Sequence, residues 1–82
     1  MKVYFKPTAF KQQKRLPKSE IQKIERKIEA LREDPYSGKL LKGEFEGLYS
    51  LKAWPYRIVY EIKQKKIIIL SIANRQGAYR KF

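Results

Sequence analysis

Residues 48–62 read LYSLKAWPYRIVYEI, and this stretch decides the fold. Its apolar and polar residues alternate, which predicts two strands over residues 48–53 and 56–62, joined through Trp54-Pro55. Downstream, the short apolar run Ile67-Ile68-Ile69-Leu70 predicts a third strand over residues 66–73. Because the connections between these strands are short, the sequence predicts that neighbours run antiparallel.

The two faces of the predicted sheet differ in chemistry, because successive side chains along a strand point to opposite sides. Counting in steps of two assigns an apolar face to Tyr49, Leu51, Ala53, Tyr56, Ile58, Tyr60, Ile62, Ile68, Leu70 and Ile72. The opposite face then receives Ser50, Lys52, Arg57, Val59, Glu61, Ser71, Ala73 and Arg75. If the apolar face covers the core, Lys52, Arg57 and Arg75 converge in a basic concavity among small neighbours.

The first half of the chain predicts one further strand and two helices. Residues 2–6 alternate as a strand that Pro7 closes, and Thr8 is placed to cap a short helix anchored by Phe10. A second helix is predicted over residues 17–33 and ends at Asp34-Pro35, since the residue before proline avoids helical geometry. Its apolar stripe consists of Ile21, Ile24, Ile28 and Leu31. Residues 36–47 contain three glycines and predict a loop.

The predicted order is therefore strand, helix, helix, strand, strand, strand, in one α+β domain over residues 1–82. Two consecutive helices pack on one face of a small antiparallel sheet in such a domain. A chain of this length needs that packing, because a lone hairpin buries too little apolar surface to be stable. The opposite sheet face is left free to bind something.

The charge of the chain narrows the class of partner. Twenty Lys and Arg residues against eight Asp and Glu give a net charge of +12 on 82 residues. Such a field attracts polyanions, above all nucleic acid or an acidic protein. The sequence shows no apolar span and no strongly amphipathic exposed helix, so no membrane partner is expected. The lack of cysteine and of a signal-peptide core near the N-terminus fits the cytoplasm.

Each basic group also has a purely structural interpretation. The cations of the helices are Lys11, Lys14, Arg15, Lys18, Lys23, Arg26 and Lys27. They either follow nucleic-acid phosphates or form a solvated face with the interspersed glutamates. In the sheet, Arg57 could pair with Glu61 on the same face, but this pairing leaves Lys52 and Arg75 unexplained. Three cations near one carboxylate make a site that lacks an anion.

A phosphodiester would supply that anion. With no His or Cys and few acids, the chain is poorly suited to a metal site or a His-based relay, and we expect no cofactor. In RNA the 2′-hydroxyl attacks the adjacent phosphorus, leaving a 2′,3′-cyclic phosphate and a 5′-hydroxyl. The enzyme deprotonates the nucleophile, stabilises charge on phosphorus and protonates the leaving oxygen. Arg57 and Arg75 suit the second role, and Lys52 is the candidate base.

Two aromatic residues complete the candidate site. Tyr79 is placed to stack on a base or to take part in proton transfer, although an ordinary packing role fits it equally well. Trp54, at the hairpin tip, offers another stacking surface. We add Ser50, Asn74, Arg80 and Lys81 as candidate RNA contacts.

Five short sequence motifs occur one after another along nearly the whole chain. They are KRLP at 14–17, ALREDP at 30–35, LYSLK at 48–52, YRIVYEI at 56–62 and NRQGAYR at 74–80. As a set they resemble the RelE/ParE toxin superfamily of bacterial and archaeal toxin–antitoxin systems. Residue by residue, the resemblance matches Lys52, Arg57, Arg75 and Tyr79 to the superfamily's polar positions. The chain departs from many relatives at Ser50, where they carry a second Lys or Arg, and at Asn74, where they carry His.

This resemblance implies a toxin that an antitoxin neutralises. RelE-like members are ribosome-dependent endoribonucleases that cut mRNA, whereas ParE-like members share the fold, generally lack the catalytic set and poison DNA gyrase. Because the four polar residues are present, we expect a metal-independent mRNA endonuclease that acts on the ribosome and is held by an acidic antitoxin. A ParE-like gyrase inhibitor and a degenerate toxin that only binds RNA or its antitoxin stay open as alternatives.

Overall fold

The computed structural model of the chain describes residues 1–74, in which two helices pack on one face of a five-stranded sheet. Its elements are β1 (Lys2–Phe5), α1 (Pro7–Lys14), α2 (Lys18–Glu33), β2 (Lys39–Leu40), a 3₁₀ turn (Gly43–Phe45), β3 (Leu48–Ala53), β4 (Tyr56–Lys63) and β5 (Lys66–Asn74). The predicted α+β class is confirmed, and the three long strands begin and end within one residue of their predicted positions.

The sheet is mixed rather than wholly antiparallel. Its strand order is β1-β5-β4-β3-β2, and β1 runs parallel to β5 while the other neighbours are antiparallel. The parallel pair is possible because both helices follow β1 in the chain and precede the other strands. They provide the long connection that parallel strands need. The short β2, inside the segment predicted as a loop, pairs with Tyr49 and Ser50 of β3.

Helix α1 differs from the prediction at its start and in its buried face. It begins at Pro7 rather than after a Thr8 cap, because the fixed φ and missing N–H of proline suit a first helical position. Ala9 is the buried residue of the helix, whereas Phe10 is 47 % exposed and is not the predicted anchor. The sheet-facing side also carries Gln12, whose Oε1 accepts a 2.7 Å hydrogen bond from the Ile72 N–H. Since β1 ends at Phe5, opposite Ile69, Gln12 satisfies a donor on β5 that β1 no longer reaches.

Helix α2 buries its predicted stripe. Ile24, Ile28 and Leu31 are buried, and Ile21 is half-buried. The main core cluster consists of Ala9, Ile24, Ile28, Leu31, Ala53, Ile58, Tyr60, Ile67, Ile69 and Ile72. No helix within residues 1–74 is both long and apolar enough to cross a membrane.

A β-bulge in β5 corrects the predicted assignment of its faces. Val59 lies opposite Ser71 and Tyr60 lies opposite Ile69, so Leu70 is left over between them. An extra residue of this kind shifts the alternation of side chains by one. Ile67 and Ile69 therefore join Ile72 in the main core, and the prediction that Ile68 and Leu70 face the helices is wrong. Both instead belong to a second, smaller cluster with Val59.

We call the side of the sheet away from the helices the far face; it carries Ser50, Lys52, Arg57, Val59, Leu70, Ser71 and Ala73. The expectation that this whole face is free is wrong. Val59 is fully buried, and Ser50, Leu70 and Ser71 are at most 8 % exposed. One accessible part is the end nearest the β3–β4 hairpin tip, where Lys52 is exposed and Arg57 half-buried.

Tyr60 fixes the loop that follows α2. Its hydroxyl donates a 2.9 Å hydrogen bond to the Pro35 carbonyl and accepts a 3.0 Å bond from the Gly38 N–H. Its ring stacks on Tyr49, with 5.3 Å between centroids. A Cβ at residue 38 would lie 2.5 Å from the hydroxyl, so only glycine fits this approach. Burial raises the pKa of the Tyr60 phenol above its ordinary value, and the hydrogen bond from Gly38 lowers this pKa by a smaller amount.

Candidate functional site

The candidate site begins with two cations that face each other across the β3–β4 hairpin. Lys52 and Arg57 are direct cross-strand partners. Side chains in this position lie on the same face of the sheet, and like charges there destabilise a hairpin by about 0.2–1 kcal/mol. The structure therefore brings these two predicted residues together, in an arrangement that does not favour folding.

No carboxylate within residues 1–74 neutralises either cation. The ion pairs of this part of the chain are Lys23–Glu20 and Arg32–Glu29. Glu61, the partner considered for Arg57, lies four residues further along β4, opposite Leu48 and Ile68. Four residues of a strand span about 13 Å, with Val59 in between. The Arg57–Glu61 pair is therefore not formed in the described structure.

The two cations line a pocket at the hairpin tip. Its walls are Lys52, Trp54, Pro55, Tyr56 and Arg57, and its volume is about 280 Å³. Ligand pockets in proteins start at roughly 300 Å³, so this one suits a single unit of a longer chain better than a large free ligand. Trp54 is 80 % exposed and precedes a cis peptide bond to Pro55. The pocket combines positive charge with an exposed aromatic ring.

A contact joins α2 to the hairpin tip, and the sequence did not reveal it. The Lys23 Nζ donates a hydrogen bond to the Trp54 carbonyl and lies 2.6 Å from Glu20 Oε2. It also lies 5.8 Å from the centroid of the Tyr56 ring. By its position in the sequence Lys23 belongs with the other helix cations, because no linear pattern relates residues 23 and 54. The one available signal was the three-residue spacing of Glu20 and Lys23 beside the apolar stripe.

Two further predicted site residues, Ser50 and Asn74, lie outside the pocket. Ser50 lies on the far face opposite Val59 but is only 4 % exposed. Asn74 is exposed at the end of β5 and lies opposite Tyr56. The Tyr56 side chain packs toward the helices, and directly opposite residues share a face of the sheet. Asn74 therefore faces away from Lys52 and Arg57. The candidates Arg75, Tyr79, Arg80 and Lys81 lie outside the described residues. Among residues 1–74 no cluster of three or more acidic side chains could hold a metal ion.

Comparisons with known proteins agree with this fold. A family model described as the ParE toxin of type II toxin–antitoxin systems (parDE) matches residues 3–79. The chain is similar to the YoeB/ParE toxin from Agrobacterium tumefaciens, with a TM-score of 0.81 and 19 % identity over 92 % of this chain and 99 % of that one. No curated protein sequence matches the chain.

Two similar structures are toxin–antitoxin complexes. One is RelBE2 from Mycobacterium tuberculosis, with a TM-score of 0.81 and 28 % identity over 90 % of this chain and 96 % of that one. The other is the archaeal RelE–RelB complex from Pyrococcus horikoshii OT3, with a TM-score of 0.72 and 26 % identity over 94 % and 97 %.

Proposed function

We propose that this chain, which belongs to the ParE toxin family of type II toxin–antitoxin systems, is a ribosome-dependent mRNA endoribonuclease. The observation that carries the proposal is the Lys52–Arg57 pair, which lines a pocket beside Trp54 and has no carboxylate partner within residues 1–74. Two like charges in direct opposition weaken the hairpin. A substrate phosphate bound between them would be attracted to both cations and would offset their mutual repulsion.

The proposed reaction uses the RNA as its own nucleophile. The 2′-hydroxyl loses its proton and attacks the adjacent phosphorus, the bond from phosphorus to the 5′-oxygen breaks, and that oxygen takes up a proton. The products are a 2′,3′-cyclic phosphate and a 5′-hydroxyl. We assign charge stabilisation to Arg57, with Arg75 as its expected partner, and the two proton transfers to Lys52 and Tyr79. The assignments to Arg75 and Tyr79 rest on the sequence.

We propose ribosome dependence because the candidate site has few acid–base groups. The chain contains no histidine, so no side chain has an ordinary pKa near neutrality. Catalysis then depends on how well the reacting atoms are oriented, which contributes most when the substrate is held rigidly. An mRNA fixed on the ribosome meets that requirement, whereas a free single strand does not.

The proposed protein partner is an acidic antitoxin. RelBE2 and archaeal RelE–RelB, which the chain resembles, are toxin–antitoxin complexes. A net charge of +12 favours association with a partner of opposite sign. We propose a segment that is disordered when free and folds as it binds.

Inhibition of DNA gyrase is the second candidate function. The matching family model is described as the ParE toxin, and the resemblance implies that ParE-like members poison DNA gyrase and generally lack the catalytic set. A degenerate toxin that only binds RNA or its antitoxin would also fit the fold. These alternatives differ from the proposal in whether Lys52 and Arg57 are required for chemistry.

One experiment compares the candidates directly. Wild type and the Lys52→Ala/Arg57→Ala variant are tested side by side for mRNA cleavage in a translation extract and for gyrase supercoiling. A Lys39→Ala/Lys63→Ala variant is the control, because it removes two exposed sheet lysines away from the pocket. We expect wild type and control to cut mRNA, the pocket variant not to cut, and gyrase to be unaffected by all three. Loss of supercoiling with intact mRNA would instead identify a gyrase inhibitor.

A further inference from the structure

The tip of the β3–β4 hairpin carries the pocket, and its largest side chain is exposed. Trp54 is 80 % exposed, so its indole contributes little packing to hold the tip. Its carbonyl, however, accepts a hydrogen bond from Lys23 of α2, 31 residues away in the chain. We propose that Lys23 is a positioning residue, which holds the pocket-bearing hairpin tip against α2.

The surroundings of Lys23 support a structural anchor. Its side chain is 37 % exposed and that of Glu20 is 28 % exposed, and the Glu20 Oε2 atom that it contacts is buried. An ammonium group has three donors: Lys23 donates a hydrogen bond to the carbonyl on the hairpin, and its charge pairs with a carboxylate on its own helix. Hydrogen bonds with a charged donor are stronger than neutral ones. Lys23 therefore connects the helix and the hairpin tip at a fixed distance.

Fixing Trp54 also fixes the two cations. Lys52 precedes Trp54 by two residues and Arg57 follows it by three, and all three line the same pocket. A displacement of the tip would change the separation of the two charges and their position relative to the indole. This consequence for catalysis rests on the proposed function, whereas the anchoring of the tip does not.

Lys27 provides a matched comparison, because it lies on the same helix one turn further on and is exposed. If Lys23 only contributed positive charge for nucleic acid, Lys23→Met and Lys27→Met would have equal effects, since each removes one cation. If Lys23 positions the tip, only Lys23→Met will change the hairpin.

The test uses the intrinsic fluorescence of the intact chain, because Trp54 is its only tryptophan. Time-resolved anisotropy separates local motion of the indole from tumbling of the whole domain. We expect a larger fast component in Lys23→Met, the wild-type value in Lys27→Met and partial recovery in Lys23→Arg. Should Lys23→Met fail to fold because Glu20 is left buried without a partner, the Glu20→Gln/Lys23→Met variant tests the same point without the stranded carboxylate.

Cleavage on the ribosome provides the second readout. A small misplacement of reacting groups costs up to about 10²-fold in rate, so we expect kcat to fall by about tenfold to 10²-fold in Lys23→Met with little change in KM. Anisotropy equal to wild type in the folded Lys23→Met variant overturns the inference, whether or not RNA is cut. Equal kcat values for Lys23→Met and Lys27→Met overturn the link between the anchor and the site. If wild type cuts no RNA, the proposed function fails and the anisotropy comparison alone decides the anchor.

Discussion

Replacing Arg57 with alanine separates a catalytic role from a structural one. If Arg57 stabilises the charge that builds on the scissile phosphate, its loss removes one preorganised donor. Such a loss typically lowers the rate by about 10²–10³-fold, or roughly 3–4 kcal/mol of transition-state stabilisation. Arg57→Lys should recover part of the activity only, because an ammonium cannot copy the two parallel hydrogen bonds of a guanidinium.

The structure predicts a small effect of the same substitution on folding. Arg57 forms no ion pair within residues 1–74 and lies opposite Lys52, so its removal relieves a repulsion of about 0.2–1 kcal/mol. Loss of the packing of its aliphatic stem acts in the opposite direction. We expect the free energy of unfolding to change by less than about 1 kcal/mol, which for a domain of this size corresponds to a Tm shift below about 4–8 °C.

The assay measures Tm, growth inhibition and ribosomal mRNA cleavage on the same preparations of wild type, Arg57→Ala and Arg57→Lys. Lys63→Ala is the control, since it removes one exposed cation from the other end of β4. Arg57→Ala should stay folded and still associate with ribosomes while losing cleavage. Full cleavage by Arg57→Ala would refute the catalytic role of this residue. A large fall in Tm with toxicity proportional to the folded fraction would instead show that Arg57 is structural.

Three further predictions concern the loop after α2 and the partner. Tyr60→Phe should reduce the loss of unfolding free energy at alkaline pH, because burial raises the pKa of the Tyr60 phenol in the folded protein. The stabilisation from this phenol is complete below its unfolded pKa of about 10 and is lost as the pH rises through its folded pKa. Urea unfolding near neutral pH and above about pH 10 measures this, and an equal loss in both proteins would contradict it. Gly38→Ala should lower the unfolding free energy by about 1–3 kcal/mol, because the new Cβ would lie 2.5 Å from Tyr60 Oη and 3.1 Å from the Ser50 carbonyl oxygen. In the same denaturation assay Ser37→Ala is the control and should cost far less, because Ser37 is exposed. Association with the cognate antitoxin should slow as salt rises, since ions screen attraction between unlike charges; stopped-flow rates that are indifferent to salt would exclude electrostatic steering.

The sequence was sufficient for the elements whose pattern is local. The stripe on α2 and the alternation in β3 and β4 each mark the face that packs in the main core, and both predicted the correct residues. The β5 strand was different, because its four consecutive apolar residues fit either face. The bulge at Leu70 is visible only from the pairing of β5 with β4. Alternation alone therefore placed Ile68 and Leu70 on the wrong side.

Contacts between distant segments could not be predicted either, because a local sequence pattern does not show which segments meet. Phe10 appeared to be the anchor of α1 because it is large, yet the orientation of that helix brings Gln12 to the edge of β5 that β1 leaves unpaired. The Lys52–Arg57 pairing was predictable, since a short hairpin fixes its own register. The anchoring of the hairpin tip by Lys23 was not, because it joins two segments with no local relation.

The most direct test of the proposed function is to map the 5′ ends of one mRNA incubated with the wild-type protein, once under translation and once as naked RNA. Ribosome-dependent cleavage predicts new ends within translated codons, with 5′-hydroxyl and 2′,3′-cyclic phosphate termini, and little or no cutting of the naked strand. Equal cutting of both samples would contradict ribosome dependence, and no new ends in either sample would contradict the nuclease itself.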